Sequence, residues 1–303
     1  MTKTETPKEF DGRLASGKDW REIVAWVGDL PPMPHVASRA IRMVEDPDTT
    51  APDLTELLSS DTALAARVLK IANSAMFSRQ REITTLNQAI MIIGFKALKG
   101  VIVAATLRQL NKNFGNFEKM IWENSMFSAQ CATKIARKLR KRYFEEIFLL
   151  GLLHSLGQIV FLAQKDTAND YRKVLDIVTS SSIDYVTAEQ EVFGFTHTLI
   201  GALVAKKWNF PPDTCQVILH YKDPLESPKP ESEIEEKTAI VHLSDLIAHN
   251  AGVGSPEGYP HQPEMIKELA VYLGFPEATA ASEMEKLQTE AFQQFDQEKH
   301  IYS

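Results

Sequence analysis

Histidines and one aspartate are the residues of this sequence that are best suited to metal chemistry. Five histidines lie in or beside predicted helices, namely His154, His197, His220, His242 and His249. Asp245 lies in the run AIVHLSDLIAHN, three residues after His242 and four before His249, so these three share roughly one helix face. Imidazole nitrogen and carboxylate oxygen both bind divalent metals, which makes a metal site the first hypothesis.

A helical metal site takes its ligands from several helices that converge on one point. The candidate ligands from separate predicted helices are His154, His197, His220 and Asp245. Each histidine taken singly is more often an ordinary core or surface residue than a ligand. The whole set favours a polar pocket and a group of unrelated residues about equally, so both interpretations stay open.

The run LLHSLGQ places His154 and Ser155 in the most hydrophobic part of the chain. One interpretation is a satisfied polar pair in the core, in which the Ser155 hydroxyl bonds back to a helix carbonyl. The other is a metal site, either intact or lost.

Other common kinds of site are excluded or disfavoured. The sequence has no serine-nucleophile elbow, P-loop, dinucleotide fingerprint or H-E-x-x-H motif. The net charge of −7 gives no basic footprint for nucleic acid. The basic run KIARKLRKRY is interpreted as the solvated end of a helix, where cations suit the helix dipole, rather than as an anion- or RNA-binding patch. We therefore do not expect nucleic acid as a partner.

The elements that position these residues are all predicted to be helices. Apolar residues recur at helical spacing along the chain, and no segment alternates as a strand would, so the fold class is all-α. The first helix begins near Trp20 and ends before LPPMP; Asp53 and Asp61 are candidate caps of two later helices. An apolar helix spans 145–163, with Gly157 as its candidate break, and Gly94 is a second candidate break.

Composition and cysteine use complete the general expectations. The 303 residues are 44% hydrophobic, which is enough for a large core. Cys131 and Cys215 lie far apart and form no C-x-x-C pair, which indicates free thiols rather than a disulfide or a metal site. The first residues lack the apolar region of a signal peptide, and polar residues interrupt the apolar run 147–164. We expect a cytoplasmic location and no membrane partner.

Several longer runs resemble the HDOD domain family. They begin with LPPMP, ANSAMF and ITTLNQAIMIIGFKALKGVIV, and continue with IFLLGLLHSLGQIVF, EVFGFTHTLIGALVAKKWNFPPDTCQVILHYKDP and VHLSDLIA. The resemblance implies a polar segment over 1–19 and an HDOD domain over 20–248. Within that domain an N-terminal helical lobe, 20–113, packs on an HD-like lobe, 114–248, and 249–303 forms a C-terminal loop and helices.

The resemblance also implies a site. HDOD domains are related to the HD superfamily of metal-dependent phosphohydrolases, which hold metal with a histidine, an adjacent His-Asp pair and a later aspartate. These positions correspond to Asn124, to His154 with Ser155, and to Asp245. The further histidines of related two-metal phosphodiesterases correspond to His197 and His220, the latter followed by Tyr221.

The substitutions at this site imply a loss of HD chemistry. Serine at 155 and asparagine at 124 are much weaker ligands than aspartate and histidine. We expect a non-catalytic module of bacterial signal transduction, which acts by binding a signalling protein or a nucleotide-like ligand. No cofactor is expected; a residual divalent metal is the alternative, and with it a metal-dependent phosphohydrolase with a remodelled site.

Overall fold

The computed structural model describes residues 33–74, 83–110, 115–163, 165–223 and 225–302. Throughout these ranges the regular elements are α-helices and there is no β-strand, which confirms the all-α prediction. The predicted helix near Trp20 and the polar segment 1–19 lie outside the described residues.

In the described ranges, the N-terminal lobe contains five helices: α1 (His35–Glu45), α2 (Ala51–Ser59), α3 (Thr62–Ala72), α4 (Leu86–Ile93) and α5 (Phe95–Leu110). Helices α1, α3 and α4 pack against the buried α5, and α5 in turn packs against the helix Phe144–Leu153. The break at Gly94, where φ is 78°, is confirmed, and Asp61 caps α3 as predicted. The prediction that Asp53 caps α2 is wrong. Thr50 is the cap, and Asp53 is the reciprocal partner in a capping box.

The side chain of Asn73 fixes the two ends of the segment between α3 and α4. Its Nδ2 donates to the carbonyl oxygens of Leu69 (2.9 Å) and Ile83 (2.8 Å). Its Oδ1 accepts from the amide of Ile83 at 2.7 Å. This asparagine belongs to the ANSAMF run, and its amide group gives that run a structural role.

The HD-like lobe is built around a long central helix. Its helices are α6 (Asn116–Lys138), α7 (Phe144–Leu153), α8 (Leu156–Ala163), α9 (Lys165–Ser181), α10 (Tyr185–Val192), α11 (His197–Lys207), α12 (Pro212–His220) and α13 (Glu233–Asn250). Helix α6 packs against α7 and α13, while α11 packs against α8 and α12. Together these helices bury four of the polar residues that the sequence singles out, namely His154, His197, Asp245 and His249.

The apolar helix predicted over 145–163 is broken, but not at Gly157. It ends at Leu153 and resumes at Leu156, so the break falls on His154 and Ser155. Gly157 has a different role, since a Cβ there would lie 2.0 Å from the carbonyl oxygen of His197. The glycine therefore permits α8 to approach the first turn of α11.

The C-terminal helices, α14 (Pro263–Tyr272) and α15 (Ala280–Tyr302), pack against each other and against the HD-like lobe. The basic run at the end of α6 contributes to this packing, because Lys138 forms an ion pair with Glu283. Lys141 forms another with Glu236 in α13. Part of the basic run thus serves contacts within the chain.

Two further expectations concern the surroundings of the chain. Both cysteines are free thiols, as expected. In the described ranges no single helix has both the length and the apolarity needed to cross a bilayer. One pair of helices, 146–162 with 167–181, meets both criteria when taken together, but the two helices are bent by 118° relative to each other.

Candidate functional site

The centre of the site is the buried carboxylate of Asp245 in α13, which is 2% exposed. Its Oδ1 lies 3.2 Å from Nε2 of His154 and 3.1 Å from Nε2 of His249, one turn further along α13. Its Oδ2 lies 2.6 Å from Nζ of Lys222, which follows α12. Burial alone would raise the pKa of Asp245, but the Lys222 ammonium and then His249 hold it well below its usual value. Asp245 is therefore an anion paired with a lysine.

His154 lies at the end of α7 and is completely buried. Its Nδ1 donates to the carbonyl oxygen of Gly151 at 2.6 Å, which leaves Nε2 facing Asp245. The contact with the carboxylate is a hydrogen bond only when Nε2 also carries a proton. The ring is thus held between two oxygen acceptors.

Ser155 does not bond back to a helix carbonyl, so that part of the sequence interpretation is wrong. Its hydroxyl hydrogen-bonds to the hydroxyl of Ser125 in α6, and Ser125 donates to the carbonyl oxygen of Ile121 at 3.0 Å. The break between α7 and α8 directs the side chain across to α6, where its neighbour is neutral. Ser155 is a satisfied core residue, as the first interpretation held.

Asn124 in α6 also faces Asp245. Its Nδ2 donates to Oδ1 of Asp245 and to the carbonyl oxygen of Val253, both at 3.3 Å. Gly254, the residue after Val253, packs directly on Asn124, since a Cβ at position 254 would lie 2.1 Å from Cβ of Asn124. The loop after α13 therefore covers this side of the site.

His249 is the third side chain that contacts Oδ1 of Asp245. Its ring stacks on Tyr259, with centroids 4.2 Å apart, and burial lowers its pKa despite the nearby Asp245. A neutral His249 donates from Nε2 to Asp245 and leaves Nδ1 as a buried acceptor, for which no hydrogen-bond partner is found among the described residues.

His197 is the second buried histidine and belongs to a separate hydrogen-bonded chain. Glu189 in α10 accepts from both the amide and Nδ1 of His197, each at 2.7 Å, and from the hydroxyl of Tyr171. The hydroxyl of Tyr221 donates to Nε2 of His197 at 2.6 Å. The order Tyr221–His197–Glu189 satisfies both ring nitrogens, and the carboxylate also suits the N-terminus of α11. The centroid of the Tyr221 ring lies 5.2 Å from that of His154, so Tyr221 contacts both buried histidines, His154 through its ring and His197 through its hydroxyl.

His220 lies outside this buried group. Its side chain is 49% exposed, and its Nδ1 contacts Asp223 at 2.7 Å. It lines a cavity of about 550 Å³ whose wall also includes Tyr221 and His242. His242 therefore faces the cavity, although it lies on the same helix as Asp245.

Comparison with known proteins identifies the fold family of this chain. The HDOD domain family model matches residues 30–224. The chain belongs to the HDOD domain family.

Three solved structures share the fold over most of this chain. An HDOD domain protein from Geobacter sulfurreducens superposes with a TM-score of 0.71 at 23% identity, covering 92% of this chain and 96% of that one. A candidate phosphohydrolase from Shewanella amazonensis SB2B gives 0.64 at 24% identity, covering 90% and 97%. A candidate signal transduction protein from Marinobacter aquaeolei VT8 gives 0.66 at 21% identity, covering 98% and 64%. At these identities the likeness establishes the fold.

Curated relatives are longer proteins. An uncharacterized protein of Treponema pallidum (strain Nichols) is 21% identical over 245 residues, which cover 80% of this chain and 47% of the relative. The protein YuxH of Bacillus subtilis (strain 168) is 28% identical over 142 residues, which cover 41% and 35%. The HDOD chain thus spans less than half of the length of either relative.

The residues of this HDOD site do not fit a bound metal in the arrangement that the structure shows. Asp245 is engaged by Lys222, the Asn124 amide faces it as a donor, and the Nε2 of His197 is taken by Tyr221. In the part of the chain that the structure describes, no group of three or more His, Cys, Asp or Glu could hold a metal ion. Of the predicted ligands, the structure brings His154 and Asp245 together and leaves His220 at the surface.

Sequence reasoning missed Lys222 and Glu189. Glu189 shares a buried face of α10 with Tyr185 and Ala188, at positions i, i+3 and i+4. A carboxylate at a core-facing position eight residues before His197 is a signal that could have identified it. Lys222 gives no such signal, because it lies in a polar turn and reaches Asp245 only through the packing of α12 against α13.

Proposed function

We propose that this HDOD chain is a non-catalytic module of bacterial signal transduction that acts by binding a partner protein. The observation that carries the proposal is the state of the two altered ligand positions. Ser155 is bonded to a neutral serine, and Asn124 presents its NH₂ group to Asp245. Neither side chain offers a charged or nitrogen ligand where metal hydrolysis would need one.

A protein partner is favoured over a nucleotide-like ligand by the charge of the cavity. Its wall contains four carboxylates, from Asp223, Glu226, Glu231 and Glu235, and no lysine or arginine among the lining residues that the structure describes. Such a wall repels phosphate groups. The free thiols support a reducing, cytoplasmic site of action.

The alternative is a metal-dependent phosphohydrolase with a remodelled site, whose predicted ligands are His154, His197, His220 and Asp245. Of these, His154 and Asp245 lie together and His220 lies at the surface. The two functions are separated by protein purified without a histidine tag and assayed with bis(p-nitrophenyl) phosphate and MnCl₂. The His154→Ala variant is the matched control.

We expect the wild-type rate to equal that of His154→Ala, and the bound transition metal to stay below roughly a tenth of an equivalent. Stoichiometric metal in the wild type, together with hydrolysis that disappears in His154→Ala, would establish the enzyme and refute the proposal.

A further inference from the structure

Lys222 places a positive charge beside the buried carboxylate of Asp245. Its Nζ lies 2.6 Å from Oδ2 of Asp245, and its side chain is only 11% exposed. The other contacts of the carboxylate, from Asn124, His154 and His249, all go to Oδ1. A buried carboxylate needs a cation or several donors, and Lys222 provides a charge that does not depend on protonation of an imidazole.

Tyr221, the residue before Lys222, occupies the ring nitrogen of His197 through which a metal would bind. Tyr221 donates its hydroxyl to Nε2 of His197, while Glu189 holds the opposite ring nitrogen. Neutral histidine binds a metal through the nitrogen that lacks a proton, and in His197 this nitrogen is already an acceptor. Two consecutive residues of one turn, Tyr221 and Lys222, thus contact two buried side chains, His197 and Asp245.

We propose that Lys222 is a built-in cation which takes the place of a metal ion at Asp245, and that the turn formed by Tyr221 and Lys222 keeps metal out. This goes beyond the proposed function, because a regulatory module can be inactive whether or not its site holds a metal. The two proposals can therefore fail separately.

The test uses the full chain in four forms: wild type, Lys222→Met, Asp245→Asn, and the double variant. Methionine preserves most of the length of lysine without its charge, and asparagine preserves the shape of aspartate. The melting temperature (Tm) of each form is measured with EDTA and, separately, with one equivalent of ZnCl₂. Zinc is the probe because two imidazoles and a carboxylate are ligands that it prefers.

In EDTA we expect Lys222→Met to lower the Tm by roughly 5–10 °C, because it leaves a buried charge unpaired. The double variant, which has no charge in the pair, should melt above Lys222→Met. Because the double variant is expected to be more stable than Lys222→Met, the comparison still tests the charge pair if Lys222→Met folds poorly. If the effects of the two substitutions on Tm simply add, Lys222 and Asp245 are not coupled and the proposal fails.

Zinc tests the replacement directly. Removing the ammonium frees Oδ2 of Asp245, whose Oδ1 lies 3.2 Å from Nε2 of His154 and 3.1 Å from Nε2 of His249. We therefore expect ZnCl₂ to raise the Tm of Lys222→Met and to leave the wild type and the double variant unchanged. Equal stabilisation of wild type and Lys222→Met, or of neither, would overturn the claim that the ammonium stands in for a metal.

Discussion

The hydroxyl of Tyr221 donates a 2.6 Å hydrogen bond to Nε2 of His197, deep within the helical core. Both side chains are nearly inaccessible to solvent, so neither can exchange this partner for water. The bond links the turn after α12 to the first residue of α11, and through Glu189 to α10. One phenol group therefore links three helices through buried hydrogen bonds.

Tyr221→Phe removes this hydroxyl and leaves Nε2 of His197 as a buried acceptor. We expect a loss of about 1–3 kcal/mol in the free energy of unfolding, measured with urea. Tyr272→Phe is the matched control, because its hydroxyl contacts Glu235 at the longer distance of 3.5 Å. Equal effects of the two substitutions would contradict the structural role of the bond.

Asn73→Ala removes three hydrogen bonds that hold Ile83 beside the end of α3. The amide and carbonyl of Ile83 lose their partners, so we expect a cost of roughly 2–4 kcal/mol in urea unfolding. Asn250→Ala is a suitable comparison, because that amide group hydrogen-bonds to the side chains of Gln288 and His261 and not to backbone groups of the described residues. A cost for Asn73→Ala no greater than for Asn250→Ala would show that the clamp contributes little.

His242 should make the fold sensitive to mild acid. Burial, reinforced by the Lys222 ammonium, lowers the pKa of His242 to about 3. The unfolded chain, with a histidine pKa of about 6.5, then binds more protons than the folded chain, so stability falls as the pH drops from 6.5 towards 3.

Between pH 7.5 and pH 5, wild type should lose about 2 kcal/mol more in free energy of unfolding than His242→Gln. The exposed His35 supplies the control variant His35→Gln, which should keep the wild-type pH dependence. An identical slope in wild type and His242→Gln would exclude His242 as the source.

Ser155→Asp restores the carboxylate that the HD motif has at this position. Ser155 is fully buried, and the Ser125 hydroxyl is its hydrogen-bond partner, so the new charge lacks compensation. At neutral pH in EDTA we expect this variant to be less stable than Ser155→Ala by roughly 2–5 kcal/mol. Comparable stability of the two variants would mean that the site accepts an anion, contrary to the structure.

Periodicity and motifs predicted the fold well, since they depend on local sequence. The all-α class, the break at Gly94 and the cap at Asp61 all follow from spacing and backbone chemistry. The break in the apolar helix was placed wrongly, because Gly157 serves contact with the backbone of His197 rather than local bending.

The site was less predictable than the fold. The pairing of His154 with Asp245 was anticipated, but Lys222 and Asp245 are 23 positions apart and meet only through helix packing. Nothing in the spacing of His197 and His220 distinguishes the buried ring from the exposed one. The structure assigns His197 to Glu189 and His220 to Asp223.

The mutual dependence of these buried groups has an evolutionary consequence. Metal-dependent hydrolysis at this site would require an acid at 155 and a nitrogen ligand at 124 in addition to withdrawal of the Lys222 ammonium. Each change made alone leaves an unpaired charge or donor in the core, and such single steps are costly. Substitutions at the surface therefore leave this buried network intact, whereas metal-dependent chemistry would need several of its members to change together.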